Sequence, residues 1–361
     1  MARRGRHEQV PRSNGPHARQ TRRPSPHCGT PLRQREVGVG KVLARRGFGV
    51  NKERPPAILL MGATATGKSG LAEELAAHLP CEIVSVDSAL VYRGMDIGTA
   101  KPSAEVRARV PHHLIDICDP STSYSAARFR DDARAAIDAI LVRGRVPLLV
   151  GGTMLYFRTL LRGLSDMPAA DPKVRAELER EAAEHGWGEL HRRLASVDSE
   201  AARRIHPNDP QRIQRALEVY WLSGRPLTEL QRSVADAALP VRPISIEIRF
   251  ENRELLHRRI AARFHEMMQS GFLEEVARLR ARDDLHPEVP AMRAVGYRQL
   301  WGHLDGLYAF QDAVSKGIYA TRQLAKRQLT WLRSERPAAT FEAADPRIVI
   351  KILKFLKGNS I

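Results

Sequence analysis

The chain has 361 residues, 43% of them apolar, and a formal net charge of +17. That length allows one large domain with an insertion, or two domains, and the lack of any run of about 18 apolar residues argues against a membrane-spanning helix. The charge suggests an anionic partner, but residues 1–54 hold 14 Lys+Arg against 3 Asp+Glu, so the remainder is only mildly basic at +6 and charge alone does not single out nucleic acid.

Residues 1–54 are rich in Arg, Pro, Gly and Ser and poor in large apolar side chains. Such a segment cannot bury enough surface to offset its ordering entropy, so it is expected to be disordered. It reads as a transit peptide, as a nucleic-acid-binding tail, or as the product of a start codon placed upstream of a true start near Val50; composition favours the last. From Pro56 the pattern turns globular. Ala57–Met61 reads as a buried strand, followed by a Gly-rich turn and a helix over Ser69–Leu79. Glu82–Ser85 forms a second strand delivering Asp87, and His113–Cys118 and Leu148–Val150 form further strands. A helix over about Ala126–Val142 lies between those two. Short apolar strands alternating with helices of this length predict an α/β fold with a parallel sheet and flanking helices.

From about 166 to 240 the chain becomes helical, highly charged and poor in strand signals, and is read as a helical insertion between 55–165 and 241–361. Asp171-Pro172 and Asp209-Pro210 each place an N-cap residue before a proline at the first helical position, and Gly224 suits the end of the second helix. Ile244–Phe250 returns to a strand. Helices over about 252–269 and 272–281 follow, separated by Gly271, and a long helix runs from about Asp312 to Leu332. Cys28, Cys81 and Cys118 show neither metal-ligand nor disulfide spacing, which fits a reduced, cytoplasmic protein. There are no internal repeats.

Gly62-Ala63-Thr64-Ala65-Thr66-Gly67-Lys68-Ser69 matches G-x-x-x-x-G-K-[ST] between a strand and a helix, the context this motif requires. Backbone N–H groups of such a loop turn inward on phosphate oxygens. Lys68 adds a point charge, the helix start adds its dipole, and Ser69 is placed to ligate Mg²⁺. The motif specifies a bound polyphosphate, not ATP in particular. Asp87, after its apolar strand, reads as a metal-holding residue of a nucleotide kinase or as a residue of the acceptor site.

Further stretches decide between these. The segment from Asp87 to Pro102, the run Gly151-Gly152-Thr153-Met154-Leu155-Tyr156, the runs Gln211–Arg215 and Arg293–Arg298, and the helix Thr321–Gln328 resemble, in family order, motifs of the tRNA dimethylallyltransferases, also called tRNA isopentenyltransferases. The resemblance spans about residues 56–335. It implies a P-loop kinase-like parallel sheet with a helical insertion. It also implies transfer of dimethylallyl from dimethylallyl diphosphate to N6 of adenosine 37, just 3′ of the anticodon, in tRNAs reading codons that start with U. The C-terminal Cys₂His₂ zinc finger of eukaryotic relatives is missing, since no cysteine follows Cys118; this implies a bacterial-type enzyme. The basic N-terminus is outside the family pattern.

On this resemblance Asp87 is the residue that hydrogen-bonds N6 and accepts its proton, because an adenine amine is a poor nucleophile that must be aligned and deprotonated. Lys68 and Thr153 face the departing diphosphate; the other reading of Thr153 is a turn at a strand end. Ile318, Arg322, Ala325, Leu329 and Leu332 share a helical stripe, which turns Arg322 toward the core with Lys326 one turn away. Two such cations call for an anion, either diphosphate or a structural carboxylate. Asp87, Ser88, Ala89 and Leu90, with Arg175 and the segment Gln211, Arg212, Ile213, Gln214 and Arg215, are expected to contact tRNA. So are Arg293, Ala294, Val295, Gly296, Tyr297 and Arg298, where Arg beside an aromatic suits stacking on unpaired bases. The alternatives are a solvated helix face for Arg175 and the 211–215 segment, and an ordinary helix start for the 293–298 segment. The target adenine must leave its stack, so a channel is expected that admits the base from one side and the prenyl diphosphate from the other. Met61, Met95 and Met154 either line the prenyl pocket or pack in the core. The expected partners are the tRNA anticodon stem-loop and dimethylallyl diphosphate, acting on a monomer with Mg²⁺. Competing readings are a P-loop kinase, a prenyltransferase of free AMP or ADP, and a non-catalytic RNA-binding protein.

Overall fold

A computed structural model describes residues 54–165, 167–232 and 239–361. Nearly all of the basic extension 1–54 lies outside the described residues, as do residues 166 and 233–238 at the two ends of the expected insertion.

The first half of the core contains β1 (Pro56–Gly62), α1 (Lys68–His78), β2 (Cys81–Val86), α2 (Ala104–Arg109), β3 (His112–His113), α3 (Ala126–Val142), β4 (Val146–Gly151) and α4 (Met154–Arg162). Five helices follow: α5 (Pro172–His185), α6 (Trp187–Val197), α7 (Ser199–Arg204), α8 (Pro210–Ser223) and α9 (Leu227–Arg232). The chain then returns through β5 (Arg242–Arg249), α10 (Arg253–Gln269), α11 (Phe272–Arg280), α12 (Tyr297–Leu304), α13 (Phe310–Glu335), β6 (Ala339–Glu342) and α14 (Ile348–Gly358).

The six strands form one all-parallel sheet in the order β3-β2-β4-β1-β5-β6. β1 lies between β4 and β5, and side chains from other elements pack on both of its faces, which is why it reads as an unbroken apolar run. Ala57, Leu59 and Met61 point to one face and pack with Phe129, Phe157, Phe272 and Tyr297. Ile58 and Leu60 point to the other and pack against Leu71 and Leu75 of α1 and Ile352 and Leu356 of α14. Met61 pairs with Gly151, which also pairs with Val86, so β1, β2 and β4 end at one level. The loops after them open together at the carboxyl edge of the sheet, where parallel α/β folds bind ligands.

The α5–α9 helices have their own core around Leu178, Leu194, Ile213 and Leu217. Asp171 and Asp209 cap α5 and α8 ahead of their prolines, and Gly224 ends α8 at φ 68°. Both caps accept backbone N–H groups that the first turn leaves unpaired.

Two sequence expectations change. The strand read over His113–Cys118 shrinks to His112–His113, because Leu114 and Asp116 take φ 64° and 58°, which no strand accommodates. The Asp116 carboxylate is drawn instead to Lys101 and Arg107. The helix after Asp312 is longer than expected, and β6 and α14 follow it. Ile348-Val349-Ile350 opens α14 with a β-branched run that obscures its helical period.

Candidate active site

The loop 62–69 departs from β1 and doubles back through two left-handed residues, Ala65 at φ 64° and Gly67 at φ 88°. A side chain at Gly62 would meet Ile248 O at 2.5 Å, so that position admits only glycine. α1 starts at Lys68 with no side-chain cap, and its first intrahelical bond is Leu71 N to Gly67 O. The N–H groups of Lys68, Ser69 and Gly70 therefore face outward with the positive end of the helix dipole. Lys68 Nζ donates to Ala63 O (2.6 Å) and reaches Thr66 Oγ1 (3.4 Å). Burial, then the charge of Arg263, lowers the Lys68 pKa to about 7 against an opposing pull from Asp87.

Two cavities meet at this loop. One, about 570 Å³, is lined by Gly67, Lys68, Ser69, Leu90, Gly151 and Gly152, among others. The second, about 340 Å³, is lined by Ser88, Ala89, Arg293, Ala294, Val295 and Arg327, among others. Thr64, Ala65, Asp87, Thr99, Arg263 and Met267 border both. Asp87 sits at the end of β2, where its Oδ1 accepts the N–H groups of Ala89 (2.8 Å) and Leu90 (3.3 Å). Its Oδ2 makes no hydrogen bond among the described residues.

Thr153 follows β4, the neighbour of β2, and its Oγ1 accepts Ser88 N at 3.1 Å. It stands behind the wall of both cavities, holding the Asp87 turn. Gln328 on α13 ties the loops together. Its Oε1 accepts Thr64 N (2.8 Å) and its Nε2 donates to Gly152 O (2.8 Å).

The first cavity offers few metal ligands, and no cluster of three or more His, Cys, Asp or Glu suited to a metal occurs among the described residues. Ser69 is exposed there and Asp87 borders it. Mg²⁺ needs only one or two protein oxygens when phosphate and water complete its shell, so this donor set fits a cation that arrives with a diphosphate.

Several expected contacts are placed elsewhere. Lys326 is exposed and lines a separate groove with Arg249, Arg253 and Arg333; it is not on the phosphate-loop cavity. Arg322 is half-buried, and its charge, after burial, depresses the pKa of His257 on α10. The stripe that carries it is real, with Ala325 and Leu332 buried. An α-helix turns about 40° over four residues beyond a full circle, which carries Lys326 off that stripe. Met61, Met95 and Met154 are core residues, and Met267 borders the cavities instead.

Tyr297 is fully buried, edge-on to Phe272, with its hydroxyl on Glu275, so it is not a platform for an unpaired base. Gly296 is buried at φ 92°. Arg298 is exposed but points to a groove with Trp301 and Tyr319, while Arg293 is exposed on the second cavity.

In the insertion, Gln211 and Arg212 are exposed and Ile213 is buried in the local core. Gln214 Nε2 donates to Arg175 O and Glu179. Arg175 and Arg215 both grip Glu218, a carboxylate with no solvent exposure that also accepts Asp171 N. Burial alone would raise the Glu218 pKa; the two guanidiniums hold it below the ordinary range. Glu218→Ala is expected to destabilise the insertion by about 2 kcal/mol, less than the roughly 3–5 of a fully buried pair because both arginines reach water. The check is urea unfolding followed by tryptophan fluorescence, since Trp187 and Trp221 lie in these helices.

Arg263 was not singled out by the sequence reading. Leu256, Ile260 and Phe264 form the buried stripe of α10, and Arg263 and Met267 continue it. An arginine on an apolar stripe is the signal that would have found it.

A family profile described as IPP transferase matches residues 90–335. The tRNA dimethylallyltransferase of Alkalilimnicola ehrlichii is 60% identical over 309 residues, covering 84% of this chain and 97% of its own. That of Methylococcus capsulatus is 57% identical over 307 residues, covering 85% and 98%. The solved full-length tRNA isopentenylpyrophosphate transferase from Bacillus halodurans is 36% identical with a TM-score of 0.61, covering 85% of this chain and 96% of that one. A eukaryotic dimethylallyltransferase acting on tRNA is 27% identical with a TM-score of 0.68, covering 81% and 74%. The phosphate loop, the paired cavities beside it and this degree of identity agree: the chain belongs to the IPP transferase family and is an enzyme of the prenyltransferase kind.

Proposed function

We propose that this enzyme transfers dimethylallyl from dimethylallyl diphosphate to N6 of adenosine 37, 3′ of the anticodon, in tRNAs reading codons that start with U, and that it does so as a cytoplasmic monomer. The observation that carries the reading is the pair of cavities sharing Asp87, Arg263 and Thr99 as a common border, one on the phosphate loop and one rimmed by Arg293 and Arg327. A kinase would also need an acceptor site, but it would not need the Arg293–Arg298 segment that rims this one.

In this reading the diphosphate lies against Lys68, Arg263 and the N–H groups that open α1. The adenine, turned out of its stack, enters past Arg293. N6 attacks C1 of the prenyl group as the C1–O bond breaks, and the electron pair leaves on diphosphate. The proton lost from N6 passes to the Asp87 carboxylate. Lys68 and Arg263 oppose the charge that grows on the bridging oxygen. Ser69 would hold Mg²⁺ together with the diphosphate, and the ion would supply further neutralisation of that charge.

The test incubates the full chain with unmodified tRNA, Mg²⁺ and radiolabelled dimethylallyl diphosphate, with AMP and ATP as parallel substrates. Label in tRNA, mapped by nuclease digestion to the adenosine 3′ of the anticodon, is the expected result. Label in AMP alone would make it a nucleotide prenyltransferase. ATP consumed with no label in either would make it a kinase.

A further inference from the structure

Asp96, Ile97 and Gly98 lie in the segment from Asp87 to Pro102, and their backbone N–H groups converge on one side chain. Glu275 Oε2 accepts from Asp96 N (2.9 Å) and Ile97 N (2.8 Å), and Oε1 accepts from Gly98 N (3.1 Å). The Tyr297 hydroxyl donates to Oε1 at 2.5 Å. Glu275 is 2% exposed and makes no ion pair among the described residues. An isolated buried carboxylate is costly. Here four donors fill the roughly four lone-pair sites it offers, so hydrogen bonding replaces a counter-cation.

Three of those four donors belong to a loop and none to helix backbone. A role confined to packing α11 against α12 would be met by an apolar side chain. What the carboxylate holds is instead the partition between the two cavities: Asp96, Ile97 and Thr99 line the first, and Gly98 and Thr99 line the second. The loop is pressed close to its clamp. A Cβ at Gly98 would fall 2.1 Å from Phe272 and 2.6 Å from Tyr297. Its far side is fastened separately by Lys101, whose Nζ donates to Tyr92 O (2.8 Å), Asp96 and Asp116 (2.5 Å each).

We propose that Glu275, braced by Tyr297, is a positioning residue for prenyl transfer, fixing the 96–99 partition so that the prenyl carbon and the acceptor amine meet in line. The proposal rests on the prenyl-transfer reading above. Glu275 touches neither the phosphate loop nor Asp87, so its effect falls on alignment and spares diphosphate binding.

The test compares full-length wild type with Glu275→Gln and Tyr297→Phe. In Glu275→Gln an amide group faces donors it cannot accept with both atoms, and exchange of the 96–98 amides is expected to quicken about tenfold. The kcat for tRNA is expected to fall about 10–100-fold, the scale of a misalignment near 1 Å. Affinity for inorganic diphosphate with Mg²⁺ should stay within about threefold, since the phosphate loop is intact. Tyr297→Phe keeps the ring packing, removes one donor of four, and should shift exchange and kcat in the same direction by less. A kcat near wild type despite faster exchange would overturn the proposal. So would a kcat loss matched by equal losses of diphosphate affinity and thermal stability, which marks general destabilisation. A wild type that labels no tRNA would remove the prenyl-transfer reading itself, whereas failure of the variants alone would remove only the clamp.

Discussion

Asp87→Asn is expected to lower kcat for tRNA prenylation by about 10²–10⁴-fold, the usual worth of a positioned general base, with little change in KM for tRNA. The substitution is chosen to separate chemistry from architecture. Asn retains an oxygen that can accept the Ala89 and Leu90 N–H groups, so the turn that ends β2 survives. What is lost is the charge of the carboxylate and its capacity to take a proton. Adenine N6 shares its lone pair with the ring and becomes nucleophilic only as its proton is withdrawn. The effect should therefore appear in the chemical step, and single-turnover labelling reads that step directly. A variant retaining more than about a tenth of wild-type kcat would demote Asp87 from base to a residue that only orients the amine.

Lys68→Met is expected to cost about 10²–10³-fold in kcat/KM, as for removal of one preorganised donor from a developing anion. The same residue predicts a pH signature. Burial, then the neighbouring charge of Arg263, brings its pKa to about 7 in the free enzyme. The unfolded chain holds that proton to about pH 10.5, so the cost of a buried cation is present in full below about pH 7 and is relieved progressively as pH rises from there toward 10.5. A bound diphosphate reverses this by favouring the charged form. At pH 8 the wild type should take up about one more proton on binding inorganic diphosphate than Lys68→Met does. Calorimetry in two buffers of different ionisation enthalpy measures the difference, and ionisation of the ligand cancels between the proteins. Arg263→Met should raise the Lys68 pKa and so reduce the uptake. An uptake equal in wild type and Lys68→Met would show that Lys68 gains no proton when the ligand binds.

The strands β1, β2, β4 and β5, the phosphate loop, the end of β2 at Asp87 and the proline-capped helices between β4 and β5 were all legible without coordinates. Each rests on contacts close along the chain: the apolar run of a doubly covered strand, the glycines of a tight loop, an Asp ahead of a proline. So was the family, because its motifs recur as contiguous stretches between Asp87 and Gln328.

What stayed hidden depends on which elements meet in space. Tyr297 and Arg298 are adjacent and looked equivalent as RNA contacts, yet one is spent on Glu275 in the core and the other is exposed. Arg175 and Arg215 looked like free cations until Glu218, itself invisible as a buried group in a helix of mixed charge, was found between them. Lys326 and Gln328 differ by two residues on α13, and the helix turn sends one to an outer groove and the other onto the phosphate loop. Local residue types and spacing gave the scaffold and the phosphate-binding loop. Which side of a helix meets a partner, and which charge finds its counter-charge, was settled by packing between segments as far apart as Thr64 and Gln328, because burial and hydrogen bonding act through space without regard to distance along the chain.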